Sequence, residues 1–479
     1  MEKFNGYHSI AVLDVNGEEK WRRKLPTFDI MPIWRWLWCQ LKRIDVTADF
    51  IKIDFDSNGQ PYPPAKGYDL ILVYMEHFIP AWLCELLKSI SSGAEKIPIF
   101  LCGYLPTVKP DEIRDALPNV EIILSGPLEV SLTQFCKQLY AQSERRLDDF
   151  PKEGMISNDL QSEYQEKFLS SSVGIIQSSA GCPRACSFCR YSAFYHKYYP
   201  GIYEQYSIQE ITTGIKKLVE EYKIHYIRLA DSNFLGSGKL IELRTREFAK
   251  AIKENDLSIT FAIHCRSDSL TEVVVSALTC VGLKYVSMGI ESMSEGQLKR
   301  FGKQETVDDH KRAVGVLRKY AVHVQGYAIL ADPLMTRNEL LENLMGLYEL
   351  NKDIVVVIHE KMILYTTTNY YKKYEKEIRN KRPVESSLGV VVEYDFCDAW
   401  CHKYFRFIEK TSIWVQQMLI KKYYNAEQNR NVKNADSYIQ KATAYRLEAL
   451  IAIVKTDDPD EEAVERIKKN TMEKIDHMR

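Results

Sequence analysis

Apolar positions along the chain fall into two alternating rhythms. Short runs rich in Ile, Leu and Val are separated by stretches in which apolar residues recur every three or four positions. In the first 145 residues the short runs are IAVLDV (10–15), ADFIKIDF (48–55), YDLILVYM (68–75), IPIFLCG (97–103) and VEIILSG (120–126). The helix-period stretches lie near 31–44, 79–90, 110–116 and 128–141. Continuous apolar runs of this length read as strands buried on both faces, the mark of a parallel sheet covered by helices. Residues 1–145 are therefore expected to form a doubly wound α/β domain. Ligands of such sheets bind beyond the carboxyl ends of the strands. There the chain offers Gly103 and Thr107 after the fourth run, and Ser125, Gly126 and Glu129 after the fifth.

The rhythm breaks over 142–170, where charged and polar residues dominate, so 146–170 reads as a linker. It resumes with strands expected at 173–178, 224–230, 258–265, 284–290, 322–330 and 353–360. Amphipathic helices are expected near 208–222, 237–254, 270–281, 306–319 and 337–350. Six consecutive β/α units over 171–360 predict a partial (β/α)6 barrel with its site at the carboxyl rim. Residues 361–479 carry one strand-like run, VVVEYDF, and then long helical patterns. The last of these opens at Asp458, Pro459 and Asp460, which look like a capped helix start.

Composition is that of an ordinary globular chain, with 45% hydrophobic and 27% charged residues among 479. A net charge of −1 removes any global basic field, so nucleic acid is not an expected partner. No run reaches the roughly 18 apolar residues of a membrane span, and the start MEKFNGYHSI has no secretory pattern. A cytoplasmic location is expected. There the eleven cysteines would stay reduced or ligate metal rather than pair.

The chemistry concentrates in IIQSSAGCPRACSFCRYSAF. Cys182, Cys186 and Cys189 stand in C-x3-C-x2-C spacing just after the first strand of the second block. A structural zinc site usually takes four ligands in two separated pairs, and no second pair with that geometry follows. Three thiolates on one short loop suit an iron–sulfur cube with one iron left open.

This loop, with Phe188 before its third cysteine, resembles the radical S-adenosylmethionine (SAM) superfamily over about residues 170–360. LADSNF (Asp231, Asn233), CRSDSL (Arg266, Asp268) and GIESMSEGQLKRFGKQET (Gly289, Ile290, Glu291, Ser292, Lys303) resemble the strand ends of that barrel. The resemblance implies a [4Fe-4S] cluster on the three cysteines. It also implies S-adenosylmethionine held by Asp231, Arg266, Glu291 and Ser292, with Phe188 near the adenine. An electron donor such as flavodoxin or ferredoxin follows from the same resemblance.

The first domain, through CGYLPTVKPDEIRDALPNVEIILSGPLEVSL, resembles the flavodoxin-like cobalamin-binding domain of a large subgroup. This brings cobalamin into view at Gly103, Thr107, Ser125 and Gly126. The Asp-x-His-x-x-Gly element is absent from DVNGEEKW, and Phe78 and Trp82 add bulk after the third strand. The implied reaction is hydrogen abstraction by a 5′-deoxyadenosyl radical, followed by cobalamin-dependent C-methylation of a natural-product or peptide substrate. The alternative is cobalamin-free dehydration, epimerisation or rearrangement of a small polar substrate. Tyr195, His359 and Glu360 are the candidates for touching substrate. Cys397 and Cys401 are a second, weaker thiol pair, and Cys265 and Cys280 read as core.

Overall fold

A computed structural model describes residues 7–14, 32–52, 67–91, 97–117, 119–141, 173–199, 201, 203–428 and 435–477. The linker expected at 146–170, the segment DVNGEEKW beyond its first residue, and the Cys39 side chain lie outside the described residues.

The first unit is a five-stranded parallel sheet: β1 (Ser9–Asp14), β2 (Thr47–Lys52), β3 (Leu70–Tyr74), β4 (Ile99–Cys102) and β5 (Val120–Leu124). Their order is β2-β1-β3-β4-β5, the flavodoxin-like arrangement, with the chain reversing direction across the sheet between β1 and β3. Ile10 to Leu13 and Leu70 to Val73 are buried on both faces, under helices that contribute Trp34, Leu37, Leu83 and Phe135. These are the continuous apolar runs read as two-sided strands.

Gly103, directly after β4, has φ +111°, and a Cβ there would stand 2.3 Å from the Met75 carbonyl oxygen. Gly103→Ala is expected to destabilise the unit by about 1–3 kcal/mol from backbone strain, before the clash is added. Urea unfolding reads this directly, and an unchanged midpoint would mean that the turn relaxes freely.

The second unit begins with β6 (Val173–Ile176), followed by an antiparallel ribbon of β7 (Ser179–Gly181) and β8 (Tyr203–Gln205). Then come β9 (Tyr226–Leu229), β10 (Thr260–Arg266), β11 (Leu283–Glu291), β12 (His323–Ala331) and β13 (Val355–Lys361). The sheet runs β13-β12-β11-β10-β9-β6, all parallel, with β6 and β13 left as edges. It is an open barrel. Ser207, Thr306 and Thr336 close capping boxes at the starts of three of its helices, with Glu210, Asp309 and Glu339 as partners.

One face of these strands is packed core: Ile227, Phe261, Val286, Met288, Val324, Val356 and Ile358 are buried beneath the helices. The alternate positions Arg228, His264, Tyr285, Gln325 and His359 stay accessible on the inner face. Closed barrels fill this space with branched side chains. Here it remains a polar lumen.

The last region is mostly helical, as expected, with helices Ala399–Gln428, Ala435–Lys455 and Glu461–Asp476. Asp460 caps the last of these by accepting the Ala463 N–H at 2.7 Å. VVVEYDF forms β16 (Val391–Asp395), which pairs with β14 (Leu364–Tyr365) and β15 (Arg379–Pro383) in a small antiparallel sheet. The β15 residues Arg-Asn-Lys-Arg-Pro are all exposed, so no apolar rhythm marks them as a strand. No helix among the described residues is long and apolar enough to cross a membrane.

Candidate active site

The cysteine loop spans β7 and the helix Arg190–Tyr198. Its base is fixed by Asp231 at the end of β9. The buried Asp231 carboxylate accepts the Ser178 N–H at 3.0 Å, the Ser178 hydroxyl at 2.9 Å and the Ser179 hydroxyl at 2.7 Å. Burial raises the Asp231 pKa, opposed by these donors. On the far side, Ser187 donates its N–H to the Phe301 carbonyl (2.7 Å) and its hydroxyl to that of Arg300 (2.8 Å). Cys189 is the N-cap of its helix, its Sγ accepting the Ser192 N–H at 3.4 Å. Burial pushes the Cys189 thiol up to about 12 and raises Cys182 as well.

Cys182, Cys186 and Cys189 line one cavity of about 460 Å³, together with Phe188, Asp231, Asn233, Arg266 and Glu291. A charged network supports its floor. Arg266 grips Asp268 with two bonds of 3.2 Å and points a third nitrogen at Cys186 Sγ, 3.5 Å away. Arg184 donates to the same Asp268 at 2.8 Å. Lys303 bridges Glu291 (3.3 Å) and Glu305 (3.2 Å). Burial by itself would pull the Lys303 ammonium down, yet these two carboxylates hold it above the usual lysine range. Glu305 likewise resists burial and is held low by Lys303 and Arg266. Glu291 takes φ +63° across a bulge in β11, and a Cβ at Gly289 would lie 2.6 Å from its Oε1. Gly289 is thus what lets the Glu291–Lys303 pair fold back over the strand. His264 opens onto the cavity, yet burial, Lys303 and Arg228 depress its pKa to about 4, so it is neutral at pH 7.

Two polar atoms on the cavity wall lack partners: Asn233 Oδ1 and Arg184 Nε are buried without a hydrogen bond. Buried polar groups are normally satisfied, so these two atoms are an unmet acceptor and an unmet donor of this wall among the described residues. Among the described residues no three His, Cys, Asp or Glu side chains gather tightly enough for a single metal ion. A four-iron cube divides its ligands among separate irons. Three thiols spaced around one wall, beside a cavity of ligand size, fit such a cube and an adenosyl cofactor.

The other expected site residues scatter. Ser292 is fully buried, and its Oγ accepts the Ser294 N–H at 3.0 Å outside the cavity lining. Glu360 points to the opposite side of β13, where it is ion-paired with Arg446 and accepts the Ser412 hydroxyl at 2.8 Å. Its carboxylate, expected to touch substrate, here ties the barrel to the C-terminal helices. His359 is exposed and lines neither the cysteine cavity nor the lumen cavity beside it. Cys397 donates to the Glu377 carbonyl and Cys401 is buried, so neither faces the cluster loop. Cys265 is core as expected, whereas Cys280 is exposed. Sequence reasoning passed over Arg228, Ser287, Gln325 and Tyr327, whose signal is polar residues at alternate positions of otherwise buried parallel strands.

Tyr195 belongs to the contact between the two units. Its hydroxyl donates to Glu129 at 2.7 Å, and its ring stacks on Tyr191 at 4.1 Å. Arg190 pairs with Glu76 and lies over the Tyr104 ring at 4.6 Å. Burial would raise the Glu76 carboxyl, but Arg190 and Tyr74 hold it below its usual range. Thr107 spends its hydroxyl stapling strand ends, donating to the Gly103 carbonyl (2.7 Å) and accepting the Gly126 N–H (2.9 Å). Ser125 is exposed outside this contact. Between Gly103, Gly126, Tyr104 and Tyr195 only about 70 Å³ remains, several-fold below the pocket of even a drug-sized ligand. The rim built by β3, β4 and β5 is thus closed at this point, and the room beside it is a cavity of about 550 Å³ lined by Tyr104, Val108, Ser192 and Thr367.

Comparisons with known proteins follow the same lines. Residues 176–345 match the Radical SAM superfamily. Over 168 residues the chain is 30% identical to the uncharacterized methyltransferase PH0819 of Pyrococcus horikoshii, covering 35% of each protein. It is 25% identical over 184 residues to the anaerobic magnesium-protoporphyrin IX monomethyl ester cyclase of Rubrivivax gelatinosus, covering 38% of this chain and 31% of that one. The chain thus spans about a third of the length of these curated relatives. Its fold is similar to the cobalamin-dependent S-adenosylmethionine radical enzyme OxsB, solved with aqua-cobalamin bound. The TM-score is 0.66 at 16% identity, over 98% of this chain and 76% of that one. TsrM of Kitasatospora setae, a radical S-adenosylmethionine methyltransferase, matches at TM-score 0.58 and 15% identity over 77% and 76% of the two chains.

Proposed function

With residues 176–345 matching the Radical SAM superfamily, we propose that this chain takes hydrogen from a carbon of a polar substrate held in the open lumen of its barrel. The observation that carries this reading is the convergence of Cys182, Cys186, Cys189, Glu291 and Arg266 on one cavity of about 460 Å³. A cluster held by the three thiolates supplies one-electron cleavage of S-adenosylmethionine, and so a 5′-deoxyadenosyl radical; that chemistry belongs to the cofactors. The protein binds, orients and excludes water. Arg266 and the Ser192 N–H donate toward two of the thiol sulfurs. Glu291, pinned by Lys303, offers its carboxylate to the amino or hydroxyl groups of S-adenosylmethionine. Asn233 supplies an acceptor and Phe188 an apolar face. Tyr191, stacked on Tyr195, walls the cavity toward the first unit. Neutral His264 contributes a ring nitrogen without adding charge.

Glu291→Gln removes the charge from one partner of a charge-assisted hydrogen bond, worth about 1.5–3 kcal/mol. Affinity for S-adenosylmethionine is expected to fall about tenfold to a hundredfold, measured by equilibrium dialysis on reconstituted protein. Equal affinity would remove Glu291 from the cofactor site.

A second reading, C-methylation with cobalamin at the first unit, is favoured by the likeness of fold to OxsB and TsrM. It requires the Arg190–Glu76 and Tyr195–Glu129 contacts to part. Cobalt content after expression with cobalamin supplied separates the two. About one cobalt per chain carries methyl transfer, and none leaves dehydration, epimerisation or rearrangement.

A further inference from the structure

The lumen continues past the cysteine cavity into a second one of about 490 Å³, toward the amino ends of the strands. Arg228, Ala262 and Ser287 line both cavities and form the passage between them. Beyond them the wall carries Tyr285, Gln325 and Tyr327. Arg228 differs from the other arginines at this site. Arg266 and Arg184 are engaged with Asp268, but the Arg228 guanidinium has no ion pair or hydrogen bond among the described residues. The carboxylates that line the two cavities are all committed elsewhere. Asp231 is held by Ser178 and Ser179, Glu291 by Lys303, and Asp353 by Arg318 at 2.8 Å. An accessible planar cation that lines both cavities, with no carboxylate on it, can take a flat oxyanion in fork geometry.

We propose that the second cavity is the substrate site and that Arg228 receives an oxyanion, a carboxylate or phosphate, carried by the substrate. This deepens the reading of the barrel as a radical enzyme and rests on it. The substrate would lie with its anionic end at Arg228. Its reacting carbon would reach toward the cysteine cavity, and its other groups would lie among Gln325, Tyr327 and Tyr285. That arrangement fits a small acid, a phosphorylated molecule or a peptide carboxylate, and disfavours a neutral apolar substrate.

The test is protection from phenylglyoxal, an arginine-selective reagent, applied to reconstituted protein with S-adenosylmethionine bound and read by peptide mass spectrometry. Arg228 is expected to react faster than the paired Arg266 and Arg446. Inorganic phosphate or succinate is expected to slow that reaction severalfold beyond sodium chloride at equal ionic strength. Protection by phosphate alone assigns a phosphorylated substrate; protection by succinate assigns a carboxylate. The anion that protects is also expected to raise the melting temperature of the parent protein and not of Arg228→Gln. If neither anion protects Arg228 more than chloride does, or the variant keeps the same thermal response, the proposal is overturned. Labelling needs no reductant and no turnover. Run in parallel on cluster-free protein, it is read separately from cluster content and S-adenosylmethionine cleavage, the outcomes on which the function itself depends.

Discussion

Anaerobic reconstitution is expected to load about four irons and four sulfides per chain, and replacing Cys182, Cys186 and Cys189 together with Ala is expected to abolish both. With a strong reductant the parent protein should release methionine and 5′-deoxyadenosine, while the triple variant releases neither above background. The effect should be total because one remaining thiol cannot hold a cube. Cys265 borders the same cavity but is buried in β10, where burial raises its thiol, and Cys397 and Cys401 lie away from that cavity. Iron analysis and quantitation of 5′-deoxyadenosine read the two outcomes. A full cluster in the triple variant would move its seat elsewhere and remove the barrel cavity as the site of chemistry.

Lys303→Met should be the most damaging single substitution in the charged network. The Lys303 side chain is 4% exposed, and that of its partner Glu305 is fully buried. Removing the ammonium leaves Glu305 with Arg266 at 3.7 Å as its nearest cation. Breaking a buried pair in this way costs about 3–5 kcal/mol, read as a lower urea midpoint and melting temperature. The pH dependence has a definite sign. Glu305 is depressed in the folded state, so its contribution is fully present above the ordinary glutamate pKa of about 4.3. It fades as pH falls through the depressed value. In Lys303→Met the carboxyl is held down less, by Arg266 and the Asp268 N–H without the ammonium, and acid unfolding should begin at higher pH. Lys303→Met/Glu305→Gln should recover part of the loss, since the fully buried charge is then gone and only the more accessible Glu291 has lost its partner. Identical acid transitions in parent and single variant would show that water already screens the pair.

The sheets were legible because parallel strands buried on both faces leave unbroken apolar runs, and the reading of β1, β3 and β4 needed nothing else. The cysteine loop was legible because three thiols in eight residues have few other physical uses. The Arg446 partner of Glu360 was not legible, for a reason of parity. His359 and Glu360 are neighbours at one strand end, but successive strand residues point to opposite faces. The Glu360 face meets Arg446, 86 positions further along. Tyr195 shows the same limit: its partner Glu129 comes from the other unit, and a helix pattern carries no address for such a contact. Arg228 was written in the sequence as a charged residue inside IHYIRLA. Its meaning appears only when the neighbouring strands place it between two cavities.

The open barrel divides two tasks between the two sides of the same strands. Ile227, Phe261 and Met288 on the helix side hold the fold, and a large-to-small change there costs several kcal/mol. Arg228, Gln325 and Tyr327 on the lumen side bear little packing load, and accessible positions of this kind usually tolerate change within about 0.5 kcal/mol. Selection for a new substrate can therefore rewrite every second residue of a strand without refolding the protein. Libraries confined to those alternate positions should stay soluble while their specificity drifts.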